Sequence, residues 1–413
     1  MKRSPQVVYV LLRFPYMTET FIAEEIRAVR SQGVQVSIVS LLKPHAGPVQ
    51  PHSKELLSRT WYTPGLISFA IWRAQLSYLR KDARLYVAML ISMLRAPYRK
   101  QPLRSIAKRV VVFLKAVAVA HRLRDDRIQL LHAHFAWFSG AAAWICGRLL
   151  DVPFTVTVHA NDVFASTDLL SLICSQAARV IAISDYSRQT LATTALRSPE
   201  QIVVIHCGVN LEDFEIHQGS NESSSTNGRI EILSVGSLVE KKGHRFLIEA
   251  CGLLQERGID FACTIIGGGP QERELHRQVE RLSLGGRVRL LGARLHPEIL
   301  AAYPRYHLFV LASVIAKDGD RDGIPVVMME AGAMGLPIVS TEVSGIPEIV
   351  RHDQTGLLVP PRDARALTEA VATLAANPGL RKQMGQHAQS LIKSDFNLDT
   401  STSRLIDLWG EIL

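Results

Sequence analysis

The chain of 413 residues is 47% apolar and 21% charged, with a net charge of +9. Its length exceeds one ordinary hydrophobic core and predicts two domains, and its composition excludes disordered and collagen-like classes. The five cysteines are widely spaced and form no Cys-x-x-Cys pair, which excludes a zinc knuckle or a disulfide framework and fits a reducing compartment.

The first stretch, MKRSPQVVYVLLRFPYM, starts like a secretory leader. Its apolar run is short, is broken by Arg13 and lacks a small-residue cleavage site, so VVYVLL is read as a first buried strand. The helical ETFIAEEIRAVRSQG follows, ending at Gly33, with the strand VQVSIVSL after it. Over about 67–127 the pattern becomes basic amphipathic helix. Between Arg73 and Arg127 fourteen Lys or Arg stand against three Asp, a local balance of +11, so the remainder is near neutral. Interleaved with Leu, Tyr, Trp, Met and Phe, these cations predict docking on an anionic membrane surface; the competing reading is a solvated helical face on a basic enzyme. No recognition motif accompanies the charge, and nucleic acid is not expected as a partner. The longest apolar runs, LYVAMLISML and VVVFL, fall short of the ~20 residues that span a bilayer, so no transmembrane helix is predicted.

Short strands then recur with helical patterns between them: IQLLHAHF (128–135), FTVTVHA (154–160), RVIAIS (179–184) and IVVIHCG (202–208). This alternation predicts a parallel sheet covered on both faces. His132 and His134 alternate with apolar residues, and one of them is expected to face the core. His159 stands at the carboxyl end of its strand, where such sheets bind ligands; a structural strand histidine is the competing reading. The Gly/Ser/Asn-rich HQGSNESSSTNG (217–228) reads as a linker. Strand–helix alternation restarts after it. The expected organisation is an α/β chain of two Rossmann-like domains, 1–216 and 229–395, with a closing helix over 396–413 packing back towards the first.

Three stretches of the second half carry candidate chemistry. In SVGSLVEKKGHRFLIEA a strand ends at Gly236, a turn carries Lys241 and Lys242, and a helix starts near His244. Lysine is a compact charge suited to phosphate; Lys241 is expected to be exposed and Lys242, beside Gly243, to point inward. In TIIGGGP, Gly268 sits in a turn that permits close backbone approach to a ligand, although a tight turn alone also explains it. DGDRDG (318–323) opens like a calcium loop, but its twelfth position is Met329, Glu330 comes one residue late and Pro325 interrupts it. The Asp-x-Asp of Asp318 and Asp320 is common in acidic loops, and no metal is assigned. A helix starting at Pro325 is the better reading. The free N–H groups of Val326, Val327 and Met328 would make its end an anion site. Glu330, one turn further in on a helix apolar nearly all round, could accept two hydrogen bonds from a vicinal diol such as ribose.

Taken in order, FPYMTETFIAEEIRAVRSQG, VHANDVF, ISDYSRQTL, VIHCGVNLEDF, VGSLVEKKGH, IIGGGP, DGIPVVMMEAGAMGLPIVST and GIPEIVRHDQTGLLVPP resemble the retaining family-4 glycosyltransferases of GT-B fold, over nearly the whole chain. The N-terminal motif and the DGDRDGIP loop look most like bacterial transferases that build exopolysaccharide or colanic-acid units on a lipid carrier. The resemblance implies two Rossmann-like domains facing across a cleft. It implies retaining transfer of a hexose from a nucleotide-diphosphate sugar to a lipid-linked saccharide acceptor, in exopolysaccharide or lipopolysaccharide synthesis, without a metal or other cofactor. It also implies a cytoplasmic protein, peripheral on the inner face of the cytoplasmic membrane.

Roles follow residue by residue from that resemblance. Glu330 matches the acid that holds the donor ribose, Asp322 the acid beside the donor sugar, Lys242 the lysine that neutralises the diphosphate, and His159 a first-domain histidine near the transferred sugar. The amides of Val326 and Val327 match contacts to phosphate and sugar, and Gly323, Ile324 and Gly268 fall in the same donor site. Two departures stand out. Asp322 replaces the usual Glu, and Ser237 stands where the family carries Arg, leaving Lys241 or a first-domain arginine to compensate. Two other readings share the fold: a nucleotide-sugar epimerase, and a non-catalytic nucleotide-sugar-binding subunit.

Overall fold

The computed structural model describes residues 6–16, 19–45, 51–97, 102–164, 168–194, 201–215 and 228–413. The chain divides into two compact units: Met1–Ile205 with Ser401–Leu413, and His206–Thr400. The linker expected over 217–228 lies, but for Gly228, outside the described residues.

Unit 1 is built on seven parallel strands: β1 (Gln6–Arg13), β2 (Gln35–Leu42), β3 (Thr60–Tyr62), β4 (Leu130–His134), β5 (Phe154–Val158), β6 (Arg179–Ala182) and β7 (Ile202–Val204). Their order is β3-β2-β1-β4-β5-β6-β7. The side-chain period of two sorts β1 between two cores. Val8 and Val10 join Val39, Ala133 and Val156 in one, whereas Val7, Tyr9 and Leu11 join Ile22, Ile26, Leu130 and Trp409 in the other. Helix Thr20–Ser31 covers this second face with its buried residues Ile22, Ala23, Ile26 and Val29.

The basic segment forms three helices between β3 and β4: Phe69–Lys81, Ala83–Arg95 and Pro102–Leu123. Two of its cations are buried and structural, so they lie outside any exposed basic face. Arg109 is fully buried and donates to the carbonyls of Met93 (2.9 Å) and Ala96 (2.6 Å). Lys115 is buried and donates to Leu41 O (2.7 Å), Thr63 Oγ1 (2.8 Å) and Pro64 O (3.2 Å). Among the described residues no helix is long and apolar enough to cross a membrane.

Unit 2 holds six parallel strands: β8 (Ile230–Val235), β9 (Phe261–Ile266), β10 (Val288–Leu290), β11 (Leu308–Leu311), β12 (Ile338–Thr341) and β13 (Gly356–Val359), in the order β10-β9-β8-β11-β12-β13. Both sheets reverse their strand order beside the first strand, between β1 and β4 and between β8 and β11. In open α/β sheets the crevice past the carboxyl ends at that reversal is where ligands bind.

Candidate functional site

The turn after β8 positions two lysines. Gly243 ends it with φ +65, and a Cβ there would lie 1.7 Å from Ala312 O, so no side chain is tolerated. The chain reverses at this glycine into helix His244–Glu256. Lys242 folds back over Gly236, where a Cβ would stand 3.3 Å from Lys242 Cδ. Its Nζ reaches Asp322 Oδ2 at 2.9 Å, and Ser313 Oγ donates to the same oxygen at 3.3 Å. Lys241 is not the exposed lysine the sequence suggested. Its Nζ lies 3.1 Å from Asp320 Oδ2 and 3.8 Å from Asp322 Oδ1, and both lysine side chains are largely buried. Beneath them sits buried His244, which burial and then the Lys242 charge hold down at about 4, so it is neutral at pH 7.

The other predicted donor residues lie in the same unit. Ser237 is half-buried, and its carbonyl accepts from Val239 N–H at 2.8 Å. Gly268 O accepts from Leu238 N–H at 2.9 Å, joining the glycine turn after β9 to the turn after β8. Gly323 and Ile324 are buried. The helix runs Val326–Ala333 with Pro325 as its N-cap residue, so it starts one position later than expected. Met328 N–H bonds Pro325 O at 3.0 Å, which corrects the expectation of three free amides. Val326 and Val327, in the first turn, have no carbonyl within the helix to bond. Glu330 is buried, and two side chains hold it: Tyr303 O–H donates to Oε2 at 2.8 Å, and His296 Nε2 meets Oε1 at 2.9 Å. Burial and then the Glu330 charge push the Tyr303 phenol well above its ordinary value. Neither partner was read from the sequence, since they sit 27 and 34 positions away with no periodicity linking them.

Unit 1 carries a second polar group past β4 and β5. His132 and His134, two apart on β4, lie on one face and are both fully buried, against the expectation that one faces the core. Glu25 of helix Thr20–Ser31 meets them. Its Oε1 lies 2.9 Å from His134 Nε2, 3.7 Å from His132 Nε2 and 2.9 Å from the Tyr9 hydroxyl. Burial raises the Glu25 carboxyl, but the His134 charge and hydrogen bond, His132 and Tyr9 outweigh it, bringing it to about 2. His134 Nδ1 then lies 3.0 Å from His159 Nε2. The His159 backbone N–H donates to Asp162 Oδ2 at 2.9 Å, and burial pushes that carboxyl up to about 7. Burial chiefly pushes Glu19 to about 7 as well. Glu19 lines a cavity of about 300 Å³ with Arg13, Tyr16, Phe135, Trp137 and Asn161. Among the described residues Glu25, His132 and His134 form the one group with metal-ligand spacing, their ligand atoms within 4.8 Å of one another.

Two family models match the chain. Residues 18–213 match Glycosyltransferase Family 4, and residues 217–391 match Glycosyl transferases group 1. WcaL of Escherichia coli (strain K12), named for colanic acid biosynthesis, is 30% identical over 98% of this chain and 99% of its own length.

The chain belongs to the family-4 glycosyltransferases.

A further relative of this glycosyltransferase is the amylovoran biosynthesis glycosyltransferase AmsK of Erwinia amylovora, 35% identical over 51% of this chain and 50% of that protein. Among solved structures, Anabaena HepE in complex with UDP and glucose superposes with a TM-score of 0.71 at 17% identity, covering 98% of this chain and 100% of that one. The family-4 glycosyltransferase thus has the GT-B fold, with two parallel-sheet α/β domains.

Proposed function

We propose that this glycosyltransferase moves a hexose from a nucleotide-diphosphate sugar to a hydroxyl of a lipid-linked saccharide during exopolysaccharide or lipopolysaccharide synthesis. It does so with retention of anomeric configuration and without a metal. The observation that carries the donor assignment is the paired charge past β8: Lys241 and Lys242 against Asp320 and Asp322. In this arrangement the charges cancel. A diphosphate arriving there competes for the ammonium groups. Lys242 then leaves Asp322 for phosphate, and Asp322 becomes an acceptor for sugar hydroxyls.

Breaking the sugar–phosphate bond leaves added charge on the diphosphate. Lys242 and the Val326 and Val327 amides stabilise that charge as it develops. The leaving phosphate takes the acceptor's proton, so no protein base is required, and front-face attack retains configuration. Glu330, already oriented by Tyr303 and His296, accepts from the ribose diol. Lys241 offsets the positive charge that Ser237 does not supply. His159 is assigned to the transferred sugar. The cavity beside Glu19 and Trp137 offers carboxyl and aromatic contacts to an acceptor saccharide. WcaL and AmsK, named for polysaccharide synthesis, support the pathway class, and HepE with UDP and glucose supports the donor class.

Membrane docking is part of the same reading. Ile67 is 98% exposed, Phe69 78% and Trp72 54%, and Leu76, Val87 and Leu103 are exposed too. Arg73, Arg80, Lys81 and Arg84 share these helices. Apolar side chains among cations suit an anionic bilayer at its inner face.

A panel of nucleotide sugars scored by thermal shift tests the donor assignment, because a ligand of the native state raises apparent stability. One nucleotide sugar is expected to stabilise the wild type and not Lys242→Ala. Stabilisation of both alike would remove Lys242 from the site.

A further inference from the structure

A second cavity of unit 1, of about 290 Å³, lies among the basic helices beside the edge strand β3. Its lining includes Trp61 of β3, Arg73 of helix Phe69–Lys81, and His121, Arg122, Arg124 and Asp125 at the end of helix Pro102–Leu123. Three guanidinium groups thus share the lining with one carboxylate. Arg73 has no carboxylate partner among the described residues. Arg124 Nε lies 3.1 Å from Asp125 Oδ2 and Arg122 Nη1 3.3 Å from Asp126 Oδ2, and all four of these side chains are exposed. Exposed pairs of this kind hold weakly, so neither arginine is committed to its aspartate. Arg124 Nη1 also lies 3.2 Å from the His121 ring nitrogens. Burial and then the Arg124 and Arg73 charges lower the His121 imidazole from its ordinary value, with Asp125 opposing them. The ring therefore registers a positive field that Asp125 does not cancel.

We propose that this cavity binds a phosphoryl group, carried by the headgroup of an anionic lipid or by a small phosphorylated molecule. Guanidinium forks bond phosphate oxygens in pairs. Here the forks come from two elements, Arg73 from one helix and Arg122 and Arg124 from the end of another. A tetrahedral phosphate presents oxygens in several directions at once, whereas a planar carboxylate satisfies one fork in its own plane. Trp61 adds an apolar wall for the glycerol or ring that bears the phosphate. The volume lies at the lower end of ligand cavities, which suits a headgroup rather than an oligosaccharide. Phe69 and Trp72 are exposed on the helix that carries Arg73, within about one turn of it. An acyl chain lying against them leaves its headgroup beside Arg73. The lipid form of the ligand rests on the membrane docking proposed above and names what that docking recognises; the phosphate site itself does not rest on it.

Two double variants of the full chain test the site. Arg73→Gln with Arg124→Gln removes two charges from the cavity, and Arg80→Gln with Arg84→Gln removes two from the same basic segment outside its lining. All four side chains are exposed, so both proteins are expected to fold. One arm titrates glycerol phosphate into each protein by calorimetry. The other measures cosedimentation with phosphatidylcholine vesicles containing phosphatidylglycerol. Wild type is expected to bind in both arms, and the cavity pair to weaken binding roughly tenfold or more in each, beyond any effect of the outer pair. Loss confined to the glycerol phosphate arm assigns the cavity to a soluble phosphorylated molecule, and loss confined to the vesicle arm assigns it to a lipid headgroup. If the two double variants behave alike in both arms, the charge is diffuse and the proposal is overturned. A wild type that ignores vesicles sinks the membrane docking alone, and the glycerol phosphate arm then decides the cavity: no binding there overturns the site as well.

Discussion

The ammonium of Lys242 lies 2.9 Å from Asp322 Oδ2, within a group where Lys241 spans Asp320 and Asp322. Asp322 is buried, so its carboxylate depends on these cations and on Ser313 for solvation. The same contact that stabilises the free protein has to be exchanged when a diphosphate binds.

Lys242→Ala therefore has two separable effects. Transfer falls on the order of 10²-fold or more through loss of the charge that meets the leaving phosphate. Stability falls too, by up to about 3 kcal/mol, because a buried carboxylate loses its nearest partner. Lys242→Ala with Asp322→Asn restores the melting temperature and not the turnover. Lys241→Ala is milder in both. Normal transfer by Lys242→Ala, measured on the donor the panel identifies, would falsify this role.

Tyr303→Phe removes the donor to Glu330 Oε2 and leaves a buried oxygen unsatisfied, at a cost of about 1–3 kcal/mol. Donor affinity is expected to weaken because the carboxylate is no longer oriented towards a diol. Calorimetric melting and titration with the nucleotide check the two effects; unchanged affinity removes Glu330 from the ribose.

His244 makes stability depend on pH with a definite sign. Its folded value, about 4, lies below the ordinary 6.5, chiefly through burial and then through Lys242. The unfolded chain therefore binds a proton that the folded chain refuses. The contribution is full above about pH 6.5 and is lost as pH falls through 4. Urea unfolding across that window should show a smaller loss in His244→Gln than in wild type. An equal loss in both would mean His244 is protonated in the fold.

Gly243→Ala places a Cβ 1.7 Å from Ala312 O at a residue with φ +65. The turn has to shift, and Lys242 moves with it. A drop in melting temperature together with loss of nucleotide binding is expected. A variant that melts and binds like wild type would show that the turn has room the geometry denies.

Exchanging Phe69 and Trp72 for Ser removes two exposed side chains from the basic helices. Each is worth up to about 1.5–3 kcal/mol when buried, so binding to vesicles containing phosphatidylglycerol should weaken tenfold or more. Raising the salt should weaken wild-type binding as well. Cosedimentation that ignores both changes argues for a merely solvated surface.

The sheets were readable in the sequence because their strands are short apolar runs between amphipathic helices. VVYVLL and FTVTV are buried on both faces, as such runs require. β3 was missed: Thr60–Tyr62 is a three-residue edge strand, half-buried throughout, with no period to detect. At the candidate site, Lys242, Asp322 and Glu330 stood out because charge interrupts glycine turns or an apolar helix. Their partners did not. Tyr303 and His296 reach Glu330 only after β11 and its neighbours assemble, and Glu25 meets His134 across 109 positions. Met328 was misread because a proline opening the pattern became the cap, and the first turn tightened around it.

Lys115 and Arg109 give the oily face of the basic helices an unusual rigidity. A helix that shows Phe, Trp and Ile to water can ordinarily roll and conceal them. Here Gln75, on the helix that carries Phe69 and Trp72, donates to Leu114 O of the long helix at 2.9 Å; Lys115 bolts that long helix to the chain at Leu41, Thr63 and Pro64, and Arg109 ties it to the end of the second helix at Met93 and Ala96. Rolling would strand two buried cations. The greasy surface is consequently permanent, and purification without lipid or detergent should yield clumped material that disperses when either is supplied.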